Sequence, residues 1–302
     1  MTLPPLMLTE RAERLLCLAR AFLPPRAESA REAIYSHLAA DLLELQHALG
    51  GNPEPAVALK RTIESLDSAE QLLTTYSRLF LAPPAPALPN LGFYLDGAMM
   101  GSTCQTIESL YLKYGLERDA QHFKDAADHV ALYLQFLGWL MAQAEEHRLA
   151  GDTRALLETL TDAVQTLTRH AEPALKRLQE QILKTEHTMS LPTVYGQLTS
   201  LALAATTDDN IALRAYLPAR PPLAARPRSA QAPHPTAEAT QSPPVACNSC
   251  GTDFVADEGL VGMITVLEAQ GLDTAHMRIC PKCRTAAMGM TALKIPTLKK
   301  AS

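Results

Sequence analysis

Four cysteines near the carboxyl end of the 302-residue chain could bind a metal ion. Cys247 and Cys250 form one Cys-x-x-Cys pair, and Cys280 and Cys283 form a second. Each pair presents two thiolates from one tight turn, and two such pairs close a tetrahedron around Zn²⁺ without an open position. The spacing therefore predicts a structural zinc site with four cysteine ligands in a zinc-ribbon-like module. A rubredoxin-like iron site and a redox-active dithiol are the alternatives.

A second group of side chains that could do chemistry consists of His122, Asp125, Asp128 and His129. On a helix, Asp125 and His129 lie four residues apart and share a face, which His122 joins one turn earlier. Three interpretations remain open: a solvated polar helix start, a metal site, or a peptide-binding site. The metal site would use His122, Asp125 and His129, but three ligands on one helix converge poorly.

The peptide-binding interpretation depends on the carboxylate pair of Asp125 and Asp128. Two carboxylates can bind an arginine guanidinium through charge-assisted hydrogen bonds, and His129 can orient one of them. The rest of the sequence contains no nucleophile-elbow motif and no glycine-rich phosphate loop after a strand. The small residues at 97–101 fit a helix junction better than a nucleotide site. We therefore predict that the protein is not an enzyme.

The elements that position these groups are predicted to be helices. Residues 8 to 216 are dense in Leu, Ala and Glu, and their apolar positions recur at helical spacing. This pattern predicts an all-α fold, a single helical bundle with a central helix that is apolar on most sides. Helices are predicted from 9 to the prolines at 24–25, from 28 to the glycines at 50–51, and at 53–65, 68–81, 102–114, 119–149, 152–170, 172–187 and 191–206.

Proline-rich segments divide the chain. Residues 83–90 cannot continue a helix, because proline lacks the amide donor and clashes with the preceding turn. Residues 217–246 are rich in proline and alanine without apolar periodicity, which is typical of an extended linker. The predicted organisation is therefore a helical domain at 1–216, a linker at 217–246, and a cysteine module with a basic tail at 247–302.

The charge is unevenly distributed along the chain. The formal net charge is −5, but residues 1–216 carry −8 and residues 217–302 carry +3. An acidic body disfavours nucleic acid, whose binding relies on Lys and Arg, and it suits a basic peptide partner. Four thiolates on Zn²⁺ would also lower the positive charge of the tail.

Nothing in the sequence predicts export or a membrane span. The amino terminus has no basic stretch before its short apolar run. The longest uncharged apolar segment, 130–144, is shorter than the ~20 residues that a membrane helix needs. Cytoplasmic localisation with reduced thiols is therefore expected.

Several motifs in residues 8–216 are similar to those of a known family. Tyr76-Ser77-Arg78-Leu79-Phe80 runs into prolines, and the acidic pair with His129 follows some forty residues later. Tyr94, the small residues at 97–101, and a Tyr-x-x-Tyr-Gly segment at 111–115 lie between them. In these features the chain resembles the TorD-like family (TorD, DmsD and NarJ) of cytoplasmic chaperones for molybdenum enzymes. The cysteine module is not part of the usual family pattern.

The resemblance implies a helical chaperone that binds the catalytic subunit of a molybdopterin-dependent enzyme, through its twin-arginine signal peptide or its apo-core, until the cofactor is inserted. It also implies a peptide groove with an acidic and an apolar wall. Family members often have Glu where this chain has Asp125. A regulatory or transcriptional adaptor that works through its zinc module is the alternative, and a metal-dependent hydrolase is a more distant one. The residues expected to line the groove are Tyr76, Phe80, Pro83, Tyr94, Asp125, Asp128 and His129.

Overall fold

The computed structural model describes residues 6–118, 123–217, 244–248, 250–255, 278, 280 and 298–300. Contacts divide the chain into two compact units, one formed by Met1–Arg220 with Lys294–Ser302 and the other by Pro221–Leu293. Helices dominate the first unit, which confirms the all-α prediction. The predicted domain boundaries stay predictions, because residues 218–243 of the expected linker lie outside the described residues.

Most helices of the first unit begin and end near the predicted positions. The exceptions are the central helix, the last helix, which ends at Tyr216 and not at 206, and the segment 91–96, where no helix is predicted. Local capping explains some of these bounds. Asp152 accepts a hydrogen bond from the amide of Ala155 at 3.0 Å and so caps the helix that follows. The helices are α1 Leu8–Ala21, α2 Glu28–Ala33, α3 Ala39–Ala48, α4 Glu54–Glu64, α5 Glu70–Tyr76, α6 Leu91–Asp96, α7 Ser102–Lys113, α8 Val130–Leu149, α9 Thr153–Thr166, α10 Glu172–Thr188 and α11 Val194–Tyr216.

Wider π-helical turns connect or extend some of these helices. Ile34–Leu38 joins α2 to α3, and Ser77–Leu81 extends α5. Leu167–Ala171 joins α9 to α10, where the sequence predicts two separate helices. Pro173 in the first turn of α10 lacks the amide for an α-helical bond to the preceding turn, and a π-turn accommodates that loss.

The central helix α8 is buried along most of its length and packs against α1 and α9. A Cβ atom at Gly138 would lie 3.1 Å from the backbone oxygen of Ala12 and 3.2 Å from Cγ of Leu16. Glycine therefore allows α1 to approach α8 closely at this point. Burial of a Leu, Phe or Met side chain contributes about 1.5–3 kcal/mol each, so the apolar side chains buried between these helices stabilise the bundle.

The prediction that the central helix begins at Asp119 is wrong. α8 begins at Val130, and the described residues before it, 123–129, form turns and a loop. Nδ1 of His129 accepts a hydrogen bond from the amide of Ala131 at 3.1 Å, so His129 is the N-cap of α8 and not an interior residue. Sequence periodicity cannot distinguish a polar helix start from a polar loop that ends in a cap.

Short strands accompany the helices. β1 Leu116–Arg118 follows α7 and pairs antiparallel with β4 Leu298–Lys300, within the first unit. In the second unit, β2 Pro244–Ala246 pairs antiparallel with β3 Asp253–Val255. None of these strands is predicted from the sequence. None of the helices in the described ranges combines the length and apolar character that a membrane span requires.

Candidate functional site

A cavity of about 550 Å³ lies where the end of α5, the proline-rich loop and the start of α8 come together. Two residues of the predicted apolar wall, Tyr76 and Phe80, line it, and so does Asp125 of the predicted acidic wall. The remaining lining residues are Leu23, Pro24, Arg26, Leu81, Leu88, Pro89, Asn90, Met99, Phe123, Lys124, Leu132 and Gln135.

Two buried aromatic rings line the cavity, and a third ring that does not line it packs against both. The ring centroids of Tyr76 and Phe80 are 4.9 Å apart, and both rings contact the ring of Tyr195 edge-on at 5.6 and 5.4 Å. All three side chains are buried. Burial raises the pKa of Tyr76 well above its usual range, and the nearby Asp125 carboxylate adds to that effect. Tyr76 is therefore a neutral, largely apolar surface at physiological pH.

Large apolar side chains also line the cavity where it meets solvent. Leu23, Leu81 and Met99 are 36%, 47% and 46% exposed. An exposed cluster of this kind next to a buried aromatic base is unfavourable in water unless a ligand covers it. Methionine is unbranched and polarisable, so Met99 can adapt to ligands of different shape.

The charged lining is mixed and not purely acidic. The side chain of Asp125 is 46% exposed, and the cavity lining also includes Arg26 and Lys124. Among the described lining residues, Asp125 is therefore the single carboxylate that could receive a guanidinium group. The predicted acidic pair does not face the cavity as a pair.

Asp128 is fully buried behind the cavity wall. Its Oδ2 atom accepts a hydrogen bond from the amide of Gly92 at 2.9 Å, and its Oδ1 atom accepts one from the side-chain amide of Asn90 at 3.2 Å. Its backbone oxygen also accepts a bond from the amide of Leu91 at 2.9 Å. Asp128 thus connects the start of α8 to the start of α6. The structure gives it a different place from the exposed helix face that the sequence predicts.

His129 is also fully buried. Its Nδ1 atom is committed to the α8 cap, while its Nε2 atom lies 3.9 Å from Oδ2 of Asp125. Burial lowers the pKa of His129 to about 4, although the Asp125 carboxylate opposes this shift. The imidazole is therefore neutral at pH 7, and its buried Nε2 atom has no hydrogen-bond partner. The ring of Phe123 packs edge-on against it at 4.7 Å.

The other two predicted groove residues lie beside the cavity. Tyr94 is half-buried, and its hydroxyl accepts a hydrogen bond from the amide of Leu88, which lines the cavity, at 3.1 Å. Pro83 is exposed and does not line the cavity. Of the alternative metal site, His122 lies outside the described residues.

Sequence reasoning misses several cavity residues, including Leu23, Arg26 and Met99. Leu23 and Arg26 come from the segment that follows α1, far from the two motifs in sequence. Their signal is weak, because prolines end α1 and an exposed Leu beside them gives no indication of a site. Met99 lies in the small-residue run at 97–101, which by itself fits a helix junction.

The cysteines lie close together in the second unit. The Sγ atoms of Cys247, Cys250 and Cys280 all lie within 4.8 Å of one another, and those of Cys250 and Cys280 are 3.8 Å apart. A tetrahedral Zn²⁺ site with Zn–S bonds of ~2.3 Å has S–S edges of about 3.8 Å. The trio could therefore hold a metal ion. The fourth predicted ligand, Cys283, lies outside the described residues.

Tight local geometry explains this arrangement. The amide of Gly251 donates to the oxygen of Cys247 at 2.8 Å, and Gly251 has a φ of 73°, a conformation that glycine adopts without strain. The amide of Cys280 donates to Sγ of Cys247 at 3.2 Å. Amide donors of this kind favour the thiolate, which is the form that binds metal.

Comparison with known proteins finds relatives for part of the chain. The family model described as nitrate reductase delta subunit matches residues 31–173. The chaperone protein TorD of Vibrio vulnificus is 33% identical over 92 residues, which cover 30% of this chain and 42% of the relative. The chaperone protein TorD of Photobacterium profundum is 27% identical over 141 residues, which cover 43% of this chain and 65% of the relative. Over residues 31–173 the chain is similar to the TorD-like family.

The resemblance predicted from the sequence motifs is thereby confirmed. The alignments span 42% to 65% of the length of these TorD relatives. A solved structure from Archaeoglobus fulgidus, described as a redox enzyme maturation protein, covers 58% of this chain and 93% of its own with 20% identity and a TM-score of 0.32. The part of this TorD-like chain that the family model matches includes Tyr76, Phe80 and Asp125, whereas the two Cys-x-x-Cys pairs at 247–250 and 280–283 lie beyond it.

Proposed function

We propose that this TorD-like protein is a chaperone for the maturation of a molybdopterin-dependent redox enzyme. It binds the catalytic subunit in the cytoplasm and holds it until its cofactor is inserted. The ligand of the cavity is an apolar segment of the client, such as the hydrophobic stretch of its twin-arginine signal peptide or a part of its apo-core. The curated relatives carry the name of a chaperone and not of an enzyme, which agrees with a non-catalytic role.

The observation that carries this proposal is the position of the exposed apolar side chains. Leu23, Leu81 and Met99 surround a base made of buried aromatic rings. Covering such a surface with an apolar peptide segment releases water and contributes about 25 cal/mol per Å² buried. No covalent chemistry is needed, and the client leaves when folding buries the same segment.

The residues of the predicted acidic wall have separate roles in this proposal. Asp125 is the residue that contacts a client arginine, because its side chain is half-exposed in the cavity lining. Asp128 and His129 hold the wall in place from behind. Because Arg26 and Lys124 also line the cavity, the apolar stretch contributes more to affinity than the arginines do.

Calorimetric titration with synthetic peptides tests the proposal. The first peptide is the twin-arginine signal sequence of the molybdoenzyme encoded nearest to this protein. The second has lysines in place of the arginines, and the third has serines in place of the apolar stretch. We expect the third change to abolish measurable binding and the second to weaken it. Equal heats from the first and third peptides would contradict an apolar ligand.

Matched variants locate the binding surface. Leu81→Glu and Met99→Glu place a charge on exposed cavity positions, and we expect each to weaken peptide binding about tenfold or more, since a charge against an apolar ligand is costly. Ile211→Glu is the control, because Ile211 is 67% exposed on α11 and does not line the cavity. Equal affinities in all three variants would place the peptide elsewhere on the protein.

We also infer that Cys247, Cys250 and Cys280, together with Cys283, hold a structural Zn²⁺ ion. The S–S spacing and the amide donor to Cys247 support this inference. When bound, the ion would supply a closed tetrahedral crosslink for a small segment. The alternative of a regulatory adaptor draws no support from the relatives, whose names describe a chaperone.

A further inference from the structure

The short strand β1 has a partner from the far end of the chain. β1 and β4 pair antiparallel, with Leu116 opposite Lys300, Glu117 opposite Lys299 and Arg118 opposite Leu298. A single strand without a neighbour leaves its amides and carbonyls without ladder hydrogen bonds. Among the described residues, β4 is the strand that supplies these bonds to β1.

The two residues at the centre of this register, Glu117 and Lys299, have opposite charges. Glu117 at the centre of β1 is exposed and faces the position of Lys299 across the pair. Opposite charges in directly opposed positions of an antiparallel pair stabilise that register, whereas like charges disfavour it. The surface that β1 offers therefore fits an extended segment with a basic residue in the middle.

β1 is connected to the cavity wall through its last residue. Nη2 of Arg118 forms an ion pair with Glu108 of α7 at 2.8 Å, and Nη1 donates to the backbone oxygen of Asp125 at 3.3 Å. Asp125 belongs to the loop segment that brings Phe123 and Lys124 into the cavity lining. The same loop is held at its other end, where His129 pairs with Asn90 in an isolated β-bridge.

We propose that the carboxyl-terminal segment Leu298–Lys300 is an intramolecular ligand of β1 and that its docking orders the loop wall of the cavity. The mode of recognition is strand addition, in which main-chain hydrogen bonds supply affinity and the Glu117–Lys299 pair supplies register. Release of the tail frees β1, loosens the Arg118 contact and leaves the loop at 123–129 less ordered. That the loop forms the wall of a binding cavity rests on the proposed function, whereas the docking of β4 on β1 does not.

Hydrogen exchange of the full chain without peptide tests the proposal. Lys299→Pro removes a backbone amide and is incompatible with a paired strand, whereas Lys299→Thr keeps both the amide and the strand preference. With Lys299→Pro we expect exchange in residues 114–118 and 123–130 to rise at least tenfold, with little change for Lys299→Thr. Unchanged exchange in Lys299→Pro would overturn the docking, and a rise confined to 114–118 would overturn the link to the wall.

Swapping the charges of Glu117 and Lys299 tests the register. We expect Glu117→Lys and Lys299→Glu each to raise exchange in residues 114–118, and the double variant to restore protection. Absence of restoration would overturn the assigned pairing. Protection that falls on dilution would show that the strand comes from a second copy, which would overturn intramolecular docking. Because no peptide is present, these results are independent of whether the cavity binds a client.

Discussion

The carboxylate of Asp128 and the backbone amide of Gly92 are joined by a hydrogen bond of 2.9 Å, which ties the start of α8 to the start of α6. A Cβ atom at Gly92 would lie only 2.6 Å from Oδ2 of Asp128, so residue 92 has to be glycine for this contact to form. Asn90, which donates a hydrogen bond to Asp128, lines the cavity next to this contact. The wall of the cavity thus depends on two residues that do not line it.

Asp128→Asn is expected to destabilise the fold. The Asp128 carboxylate accepts hydrogen bonds from two donors, and the Asn side chain has only one oxygen to accept them. Its NH₂ group would therefore face a donor, and a buried unsatisfied polar group costs about 1–3 kcal/mol. Gly92→Ala should have an effect of similar size through the clash at Oδ2. Urea denaturation measures both. Glu180→Gln, a substitution at an exposed site on α10, is the control and should leave the midpoint unchanged.

Asp125→Asn tests the carboxylate that faces the cavity. We expect the affinity for the twin-arginine peptide to fall several-fold, toward that for the lysine peptide, with no change in the free energy of unfolding. The effect is moderate because the side chain is 46% exposed and solvent weakens its interactions. Calorimetry with both peptides is the measurement. Retention of the full preference for arginine in this variant would place arginine recognition elsewhere.

His129 should make the protein less stable in mild acid. Burial lowers its pKa to about 4, against about 6.5 in an unfolded chain. Between these values the unfolded state binds more protons, so the free energy of unfolding falls as pH drops from 6.5 to 4. His129→Asn keeps a good helix cap and removes this titration. Between pH 7 and pH 5 the free energy of unfolding, measured in urea, should fall by roughly 2 kcal/mol more in the wild type than in the variant.

The matched control for that experiment is His187→Asn, at an exposed histidine on α10. It should leave the pH dependence as in the wild type. Equal pH dependence in the wild type and His129→Asn would show that His129 does not titrate in this window.

Glu186 should act in the opposite direction. It is buried, accepts a hydrogen bond from the amide of Gly196 at 3.0 Å, and burial raises its pKa from 4.5 to about 7. The unfolded state then binds fewer protons between pH 4.5 and 7, so this group makes the fold less stable as pH rises through that window. Glu186→Gln keeps the acceptor and should be roughly 1–3 kcal/mol more stable than the wild type at pH 8, but not at pH 4.5. Urea denaturation of both proteins at pH 8 and at pH 4.5 measures this difference in stability.

Metal removal should affect the cysteine segment and not the helical body. We expect about one Zn²⁺ per chain by elemental analysis, since four thiolates complete one structural site. A strong chelator should abolish hydrogen-exchange protection in residues 244–255, because metal binding supplies folding free energy to small metal modules. The far-ultraviolet helical signal should remain. Loss of the helical signal would contradict the conclusion that the helical body and the cysteine segment fold independently. Absence of bound metal in freshly purified protein would contradict the zinc inference.

The sequence predicted local relationships well and distant ones poorly. Helix positions follow from apolar spacing, and the proximity of Cys247 to Cys250 follows from their separation by one turn. Tyr76 and Phe80 line the cavity because they lie at a helix end next to the proline-rich loop, where their buried rings form part of the cavity wall.

The place of Asp128 and His129 could not be predicted in the same way. A polar stretch before an apolar helix fits both a helical first turn and a capped loop, and the outcome depends on partners far away in sequence. Gly92 is one of these partners, and no periodicity relates it to Asp128. The β1–β4 pair depends even more on long-range contact, since three-residue strands leave hardly any pattern in a sequence.

The docked tail has a consequence for competition between strands. Both strands belong to one chain and one unit, so the effective concentration of β4 at β1 does not depend on the concentration of the protein. On the proposed docking, we expect that a free strand at micromolar concentration does not displace β4 by strand pairing alone. If the cavity holds a client as proposed, a second segment of that client reaches a high local concentration at β1. We therefore expect that only a ligand that contacts both the cavity and β1 displaces the tail.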